Sequence, residues 1–394
     1  DPTFEEDISQ SSFGIVGHVP DQWLPEGFGL SAHFVDSSNI AAGTAGVDMF
    51  NVSAPLQGGT TKEYGFSVSA LDSKFYARIN FFESAQNDAK ITGTLPQIGG
   101  YIRSVMENNT PAQLAAAGWD LYDGSTFDPG TIVALNIRPA DTGVPSNETT
   151  WLGDNIAGTP TNYYQDTTSE GMEMEFSYAP TTNWRFHLNV SQVEAQINDV
   201  MPISGPELTR VANEVFLDAR KGNLFVVADP IPEVDGSYDP EVYLSSRADN
   251  LLGAIASKKA PEGGPLQEIR EWRTNLVTNY TFNEDSMFSG FSIGSGIRWQ
   301  DEVAIGSELK IVDGSTVPDY DKLHFGPAET NVDAWVTYNT KVFTDKNLQL
   351  QMRIRNLTSG SGDFIPIKAN PDGEVALWRI GAPRYLELSA RFRF

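Results

Sequence analysis

Between Leu348 and Arg355 the chain reads L-Q-L-Q-M-R-I-R, with apolar and polar residues in strict alternation. Successive side chains leave a β-strand on opposite sides, so a period of two means a strand with one apolar and one polar face. The end of the sequence repeats the pattern: Leu386, Leu388, Ala390, Phe392 and Phe394 alternate with Glu387, Ser389, Arg391 and Arg393. Read along the whole chain, the same period predicts roughly eleven strands, ten of them grouped as hairpins.

The predicted hairpins are 12–19 with 28–36, 63–71 with 74–83, 171–179 with 183–195, 269–282 with 288–300, and 331–343 with 347–357; the tail supplies the last strand. Within each hairpin the turn is short, as at Asp72-Ser73 or Pro180 to Thr182. Between hairpins lie long connections over about 37–62, 84–170, 196–268, 301–330 and 358–377. Compact soluble domains rarely carry structureless connections beyond about fifteen residues. An up-and-down barrel in an outer membrane, with short turns on one rim and long extracellular loops on the other, requires this alternation.

A soluble sandwich would show the same period, with its polar face in water. Strand length separates the two, because several strands of about eleven to eighteen residues far exceed the usual five or six and match a tilted crossing of a bilayer. Trp184, Trp272, Trp299, Phe282 and Phe288 fall near strand ends on the apolar side, where interfacial aromatics belong. No run of about eighteen apolar residues exists, which excludes a transmembrane helix and leaves a barrel open. The expected fold is therefore all-β, a transmembrane antiparallel up-and-down β-barrel in which residues 1–394 form a single domain and the long loops contain short helices.

Composition bounds the partners. The net charge of −25 argues against nucleic acid, which needs a basic face to displace counterions. Cysteine is absent, so there is no disulfide framework and no thiolate metal site. The first residues, DPTFEEDISQ, lack the basic start and apolar core of a signal peptide, which suggests a mature chain or a fragment.

Against this background the tail carries a resemblance. RIRNLTSGSG (353–362) resembles the penultimate-strand motif N-L-x-(D/N) of TonB-dependent outer-membrane receptors, and WRIGAPRYLELSARFRF resembles their closing G-x-P-R and final strand. The segments 63–84, 170–195 and 288–306 are similar to their barrel repeats. The resemblance implies a barrel of about 22 strands with an N-terminal plug in its lumen. This chain holds about half of those strands and neither a plug nor a TonB box is found in it, so it reads as the C-terminal half of such a barrel. Its two edge strands are then expected to pair with the N-terminal half, which also carries the plug and the contact to TonB.

The resemblance further implies an outer-membrane, non-enzymatic receptor of a Gram-negative bacterium. It would take up a scarce nutrient, whether siderophore, cobalamin, oligosaccharide or peptide, with TonB-supplied energy. The alternative is a passive or structural barrel without energy coupling. Lipid and the barrel assembly machinery are implied partners, with Phe394 as the assembly signal.

Residue type and place single out the candidate sites. Glu173, Glu175, Arg185, Arg273, Arg298, Arg353, Arg355, Glu387, Arg391 and Arg393 fall on the polar side and are expected to face the plug, or else simply to be solvated and paired across strands. Trp119, Tyr122, Trp151, Tyr163 and Tyr164 gather in the longest loop, where they can stack on a ligand or pack the loop on itself. The stretch 95–119 carries helix formers behind a Thr110-Pro111 start and suggests a structured loop. Asp235, Asp239 and Glu241, or Asp319 and Asp321, offer hard oxygen ligands for calcium without EF-hand spacing; a solvated acidic loop is the plainer account. The four histidines, His18, His33, His187 and His324, have no ligand spacing, and no catalytic constellation or other cofactor motif appears.

Overall fold

The computed structural model describes residues 9–41, 56–91, 163–202, 204–210, 212–213, 240–267, 269–312, 314–342, 346–358 and 363–393. The strands among them are β1 (Ser12–His18), β2 (Gly29–Ile40), β3 (Gly58–Ala70), β4 (Phe75–Ile91), β5 (Tyr163–Thr181), β6 (Trp184–Val200), β7 (Trp272–Thr281), β8 (Phe291–Gln300), β9 (Val303–Val312), β10 (Ser315–Gly326), β11 (Glu329–Val342), β12 (Lys346–Arg355), β13 (Phe364–Ala369), β14 (Val375–Ile380) and β15 (Tyr385–Arg393). Eleven of them form one antiparallel sheet in the order β1-β2-β3-β4-β5-β6-β7-β8-β11-β12-β15. Among the described residues β1 pairs only with β2 and β15 only with β12, so the sheet is open there.

Because neighbours in the sheet are antiparallel, its connections alternate between two rims. One rim carries the turns 71–74, 182–183 and 282–290 and the link from β1 to β2. The tight β3–β4 turn runs through Leu71, Asp72 and Ser73, all with positive φ, a conformation that short polar residues tolerate best.

The opposite rim carries more structure than the sequence suggested. Residues 301–330 and 358–377 were expected to be loops; instead they hold two hairpins, β9 with β10 and β13 with β14. The connection from β6 to β7 holds α1 (Ser204–Arg210) and α2 (Pro240–Lys259), the second of which is not short. β4 and β5 also extend well past the predicted strand ends, to Ile91 and back to Tyr163.

Burial shows where the packed core lies. Val200, Met201, Leu208 and Leu251 are the largest fully buried side chains, joined by Ala248, Ile255 and Val317. All belong to the long-loop rim, where Ala248, Leu251 and Ile255 line one stripe of α2 at helical spacing. The great sheet itself is inverted: Phe34, Phe66, Ile297, Leu350, Met352 and Leu388 on one of its faces are exposed. Leu388 is 72% exposed, and so wide an apolar surface is foreign to a protein in water.

Candidate functional site

Register assigns the two faces of the sheet residue by residue. One cross-strand row runs Asn80, Glu173, Ser191, Arg273, Gln300, Glu329. The next runs Arg78, Glu175, Asn189, Asn275, Arg298, Asn331. A third runs Arg185, Asn279, Gly294, Trp335, Arg353, Glu387. The period of two puts Arg355, Arg391 and Arg393 on the same side, so all ten charged residues singled out in the sequence share one face.

That face is concave where its polar groups meet. Glu63, Arg78, Glu173, Glu175, Asn189 and Asn275, from β3 to β7, line a cavity of about 430 Å³. Beside it His33 Nε2 lies 2.9 Å from Asn80 Oδ1, and the Asn80 amide donates to Glu63 at 3.5 Å. Farther along, Asp333 is the centre of an ion network. It is 5% exposed, accepts from Arg353 Nη2 at 2.9 Å and from the backbone N–H of Asn356 at 3.1 Å, and lies 3.6 Å from Arg298 Nη2. Arg355 pairs with Glu387 at 3.3 Å. A carboxylate so buried is tolerated because cations and an N–H donor replace its water.

Trp335 interrupts the polar series, and its surroundings explain it. The indole N–H donates to Asn279 Oδ1 at 3.2 Å, and the Arg353 guanidinium stands 5.7 Å from the ring centroid. The aromatic residue thus belongs to the charged network through its polar edge and its π face. The sequence alternation does not reveal it, because an aromatic at a polar-face position breaks the pattern.

The other face carries the apolar residues, bounded at the short-turn rim by aromatics. Phe75, Tyr178, Phe186, Trp184, Tyr280, Phe282 and Phe288 form an unbroken series with successive ring centroids 4.7 to 6.5 Å apart. Trp272 and Trp299 stand toward the other rim. From Trp272 to Tyr280 is about 27 Å of strand at 3.4 Å per residue, or about 20 Å of height at a tilt near 45°, close to the apolar band of outer-membrane barrels. Above it the same face turns acidic: Glu83, Glu170, Glu194 and Glu271 line a cavity of about 710 Å³ together with Leu266 and Phe325.

At the long-loop rim Glu329 is a junction. Its carboxylate accepts from Arg270, which also donates to the carbonyls of Asp301 and Pro327. Arg379 of β14 binds both Glu329 oxygens, at 2.5 and 2.6 Å. One half-buried carboxylate therefore ties the β13–β14 hairpin to the sheet.

The other sequence candidates divide by place. Trp119, Tyr122, Trp151, Asp235, Asp239, Phe394 and the stretch 95–119 lie outside the described residues, as does the side chain of Glu241. Tyr163 and Tyr164 are buried at the start of β5, with Lys258 Nζ 5.8 Å from the Tyr163 ring centroid. Burial raises the pKa of the Tyr163 phenol. Asp319 and Asp321 sit on the β9–β10 hairpin, where Lys310 Nζ reaches them at 3.2 and 3.4 Å. Burial pushes the Asp319 carboxyl up, but the hydrogen bond from Lys310, the Asp321 N–H and the charges of Lys310 and Lys322 outweigh it, leaving the pKa below its ordinary value. The hydrogen bond to Asp319 raises Lys310 in turn. Among the described residues no three His, Cys, Asp or Glu side chains are grouped to hold a metal. No helix described is long and apolar enough to cross a membrane.

No family model matches the sequence, and no curated protein matches it. Solved structures do. The ferripyoverdine receptor of the outer membrane of Pseudomonas aeruginosa, bound to ferripyoverdine, matches 97% of this chain over 32% of its own, at 12% identity and a TM-score of 0.48. The ferric-catecholate import receptor Fiu of E. coli K12 matches 97% over 34%, at 15% identity and a TM-score of 0.44. The ferric yersiniabactin uptake receptor FyuA of Yersinia pestis matches 98% over 37%, at 9% identity and a TM-score of 0.44. The chain spans about a third of the length of each of these receptors.

Proposed function

We propose that this chain is barrel wall from a TonB-dependent outer-membrane receptor, and that the protein takes up a scarce nutrient across the outer membrane of a Gram-negative bacterium. The observation that carries the reading is the inverted sheet: eleven antiparallel strands with an exposed apolar face bounded by an aromatic series, and a charged, internally paired face opposite. Lipid is the solvent that makes the first face favourable, and a closed barrel is the form in which such strands satisfy every backbone group.

On this reading the polar face lines the lumen. Glu173, Glu175, Arg185, Arg273, Arg298, Arg353, Arg355 and Arg391 face a plug that TonB acts on, and the remaining strands of the barrel complete the sheet beyond β1 and β15. The rim that carries α2 and the two inserted hairpins is the outer surface, where the nutrient is captured.

Replacing Leu388 by lysine tests the reading. At a lipid-facing position the substitution costs about 2–4 kcal/mol at the bilayer midplane and less toward either interface. On a face bathed in water an exposed leucine can be exchanged for lysine within about 0.5 kcal/mol. Unfolding from lipid vesicles is expected to show the larger loss; a Leu388→Lys variant as stable as the parent overturns the membrane assignment.

A further inference from the structure

Lys341, Asn347 and Arg393 form one cross-strand row on β11, β12 and β15, and Asn339, Gln349 and Arg391 form the next. Both rows lie on the polar face. With Ser289 and Gly290 they line a cavity of about 560 Å³ at the short-turn end of the sheet. Gly290 closes its wall: φ is +84°, the Asn339 N–H donates to the Gly290 carbonyl at 2.8 Å, and a Cβ there would lie 2.7 Å from the Asn339 carbonyl oxygen.

The charge of this cleft is unbalanced. Higher on the same face Arg298 and Arg353 are matched by Asp333, and Arg355 by Glu387. Among the described residues Lys341, Arg391 and Arg393 have no carboxylate partner. Gln349 donates to Asn339 Oδ1 at 3.0 Å, which leaves the Asn339 amide nitrogen as a further donor. Three cations and several amide donors therefore converge on one concavity, in a chain whose net charge is −25.

We propose that this cleft binds an extended acidic polypeptide segment with carboxylates on alternate residues. Arg391 and Arg393 are two positions apart on one strand, so their Cα atoms stand about 7 Å apart, the repeat of every second residue in an extended chain. Lys341 lies two strands away, about 10 Å, within reach of a third carboxylate. Phosphate recognition asks for another arrangement, donors and backbone N–H groups converging on one point, whereas these cations sit on two strands, β11 and β15, with β12 between them. Arginine pairs with carboxylates through two parallel hydrogen bonds, which gives such a segment a register as well as an affinity. The proposal rests on the polar face being the enclosed side of the barrel.

The test uses the full-length protein in detergent and a fluorescein-labelled Glu-Ser-Glu-Ser-Glu-Ser-Glu peptide, followed by fluorescence anisotropy. The acidic peptide is expected to bind, and its glutamine counterpart about tenfold more weakly or less. The triple variant K341Q/R391Q/R393Q is expected to lose about tenfold or more, and R391K, which keeps the charge without the two-pronged geometry, a smaller part of the affinity. Circular dichroism confirms that the variants fold; should the triple variant fail, R391Q and R393Q singly are each expected to weaken binding about threefold. Equal binding by parent and variants, equal binding of the glutamine peptide, or displacement by inorganic pyrophosphate more readily than by unlabelled acidic peptide overturns the proposal. The vesicle experiment on Leu388→Lys reads the membrane assignment separately, so a protein that inserts normally yet ignores the acidic peptide sinks this inference alone.

Discussion

Trp335 occupies the space that a side chain at Gly294 would need: a Cβ built there would collide with Cε2 and Cζ2 of the indole and lie 2.6 Å from Nε1. The two residues are directly paired on β8 and β11, and the missing side chain of one makes room for the other. Gly294→Ala is expected to displace the ring, break its hydrogen bond to Asn279 and cost about 1–3 kcal/mol. In a Trp335→Ala background the same substitution should cost less, with a coupling of about 0.5–3 kcal/mol. Denaturant unfolding of the four proteins measures it, and strictly additive losses would show that the ring does not depend on the glycine.

Glu329 predicts a local rather than a global failure. Glu329→Gln leaves Arg270 and Arg379 without their shared carboxylate, and the loss falls on the attachment of β14. About 1–3 kcal/mol is expected, the lower end reflecting the partial exposure of Arg379. Hydrogen exchange should quicken over residues 363–380 and stay unchanged over β5 and β6; uniform acceleration throughout the sheet would contradict the latch.

The β9–β10 hairpin carries the pH dependence. The folded pKa of Asp319 is lowered from 3.8, so its contribution is present above that value and fades as pH falls through the lower folded one. The folded pKa of Lys310 is raised from 10.5, so its contribution holds below 10.5 and is lost as pH rises through the higher folded one. Proteolytic resistance of residues 303–326 should therefore be flat between these limits and decline beyond each. Asp319→Asn should remove the acid limb, and an acid limb that survives in that variant would assign it to other groups.

Rim polarity has a direct readout. Protease applied to intact cells is expected to cut within the long connections and to spare Asp72-Ser73, Pro180 to Thr182 and Asn283 to Met287. Cleavage confined to those short turns would reverse the orientation.

How much the sequence disclosed depended on how local the cause was. The faces of β12 and β15 were readable because L-Q-L-Q-M-R-I-R states them in eight consecutive residues. The β9–β10 hairpin looks like loop in the sequence because Pro318 and Gly314 resemble breakers, and a register shift between Asp319 and Leu323 spoils the alternation. In β13–β14 six-residue strands, Pro366 and two register shifts do the same. Charged candidates such as Arg353 were found by face, but their partners were not. Asp333 meets Arg298 and Arg353 only through strand register, a long-range property that alternation alone does not supply. The Arg270–Glu329–Arg379 junction joins three segments distant in sequence and left no local signal at all.

The order of the strands bears on how the protein is built in time. In the eleven-stranded sheet each neighbour is also the next strand in the chain, except that β8 meets β11 and β12 meets β15. Those two departures each enclose a hairpin that pairs with itself, so even there the ends to be joined are drawn together by the segment between them. The widest closures are those across 92–162 and 201–271, from β4 to β5 and from β6 to β7, and their entropic cost rises only slowly with length. A sheet of this kind can grow by adding one hairpin at a time to an existing edge, each addition covering the backbone groups that the previous one had left open.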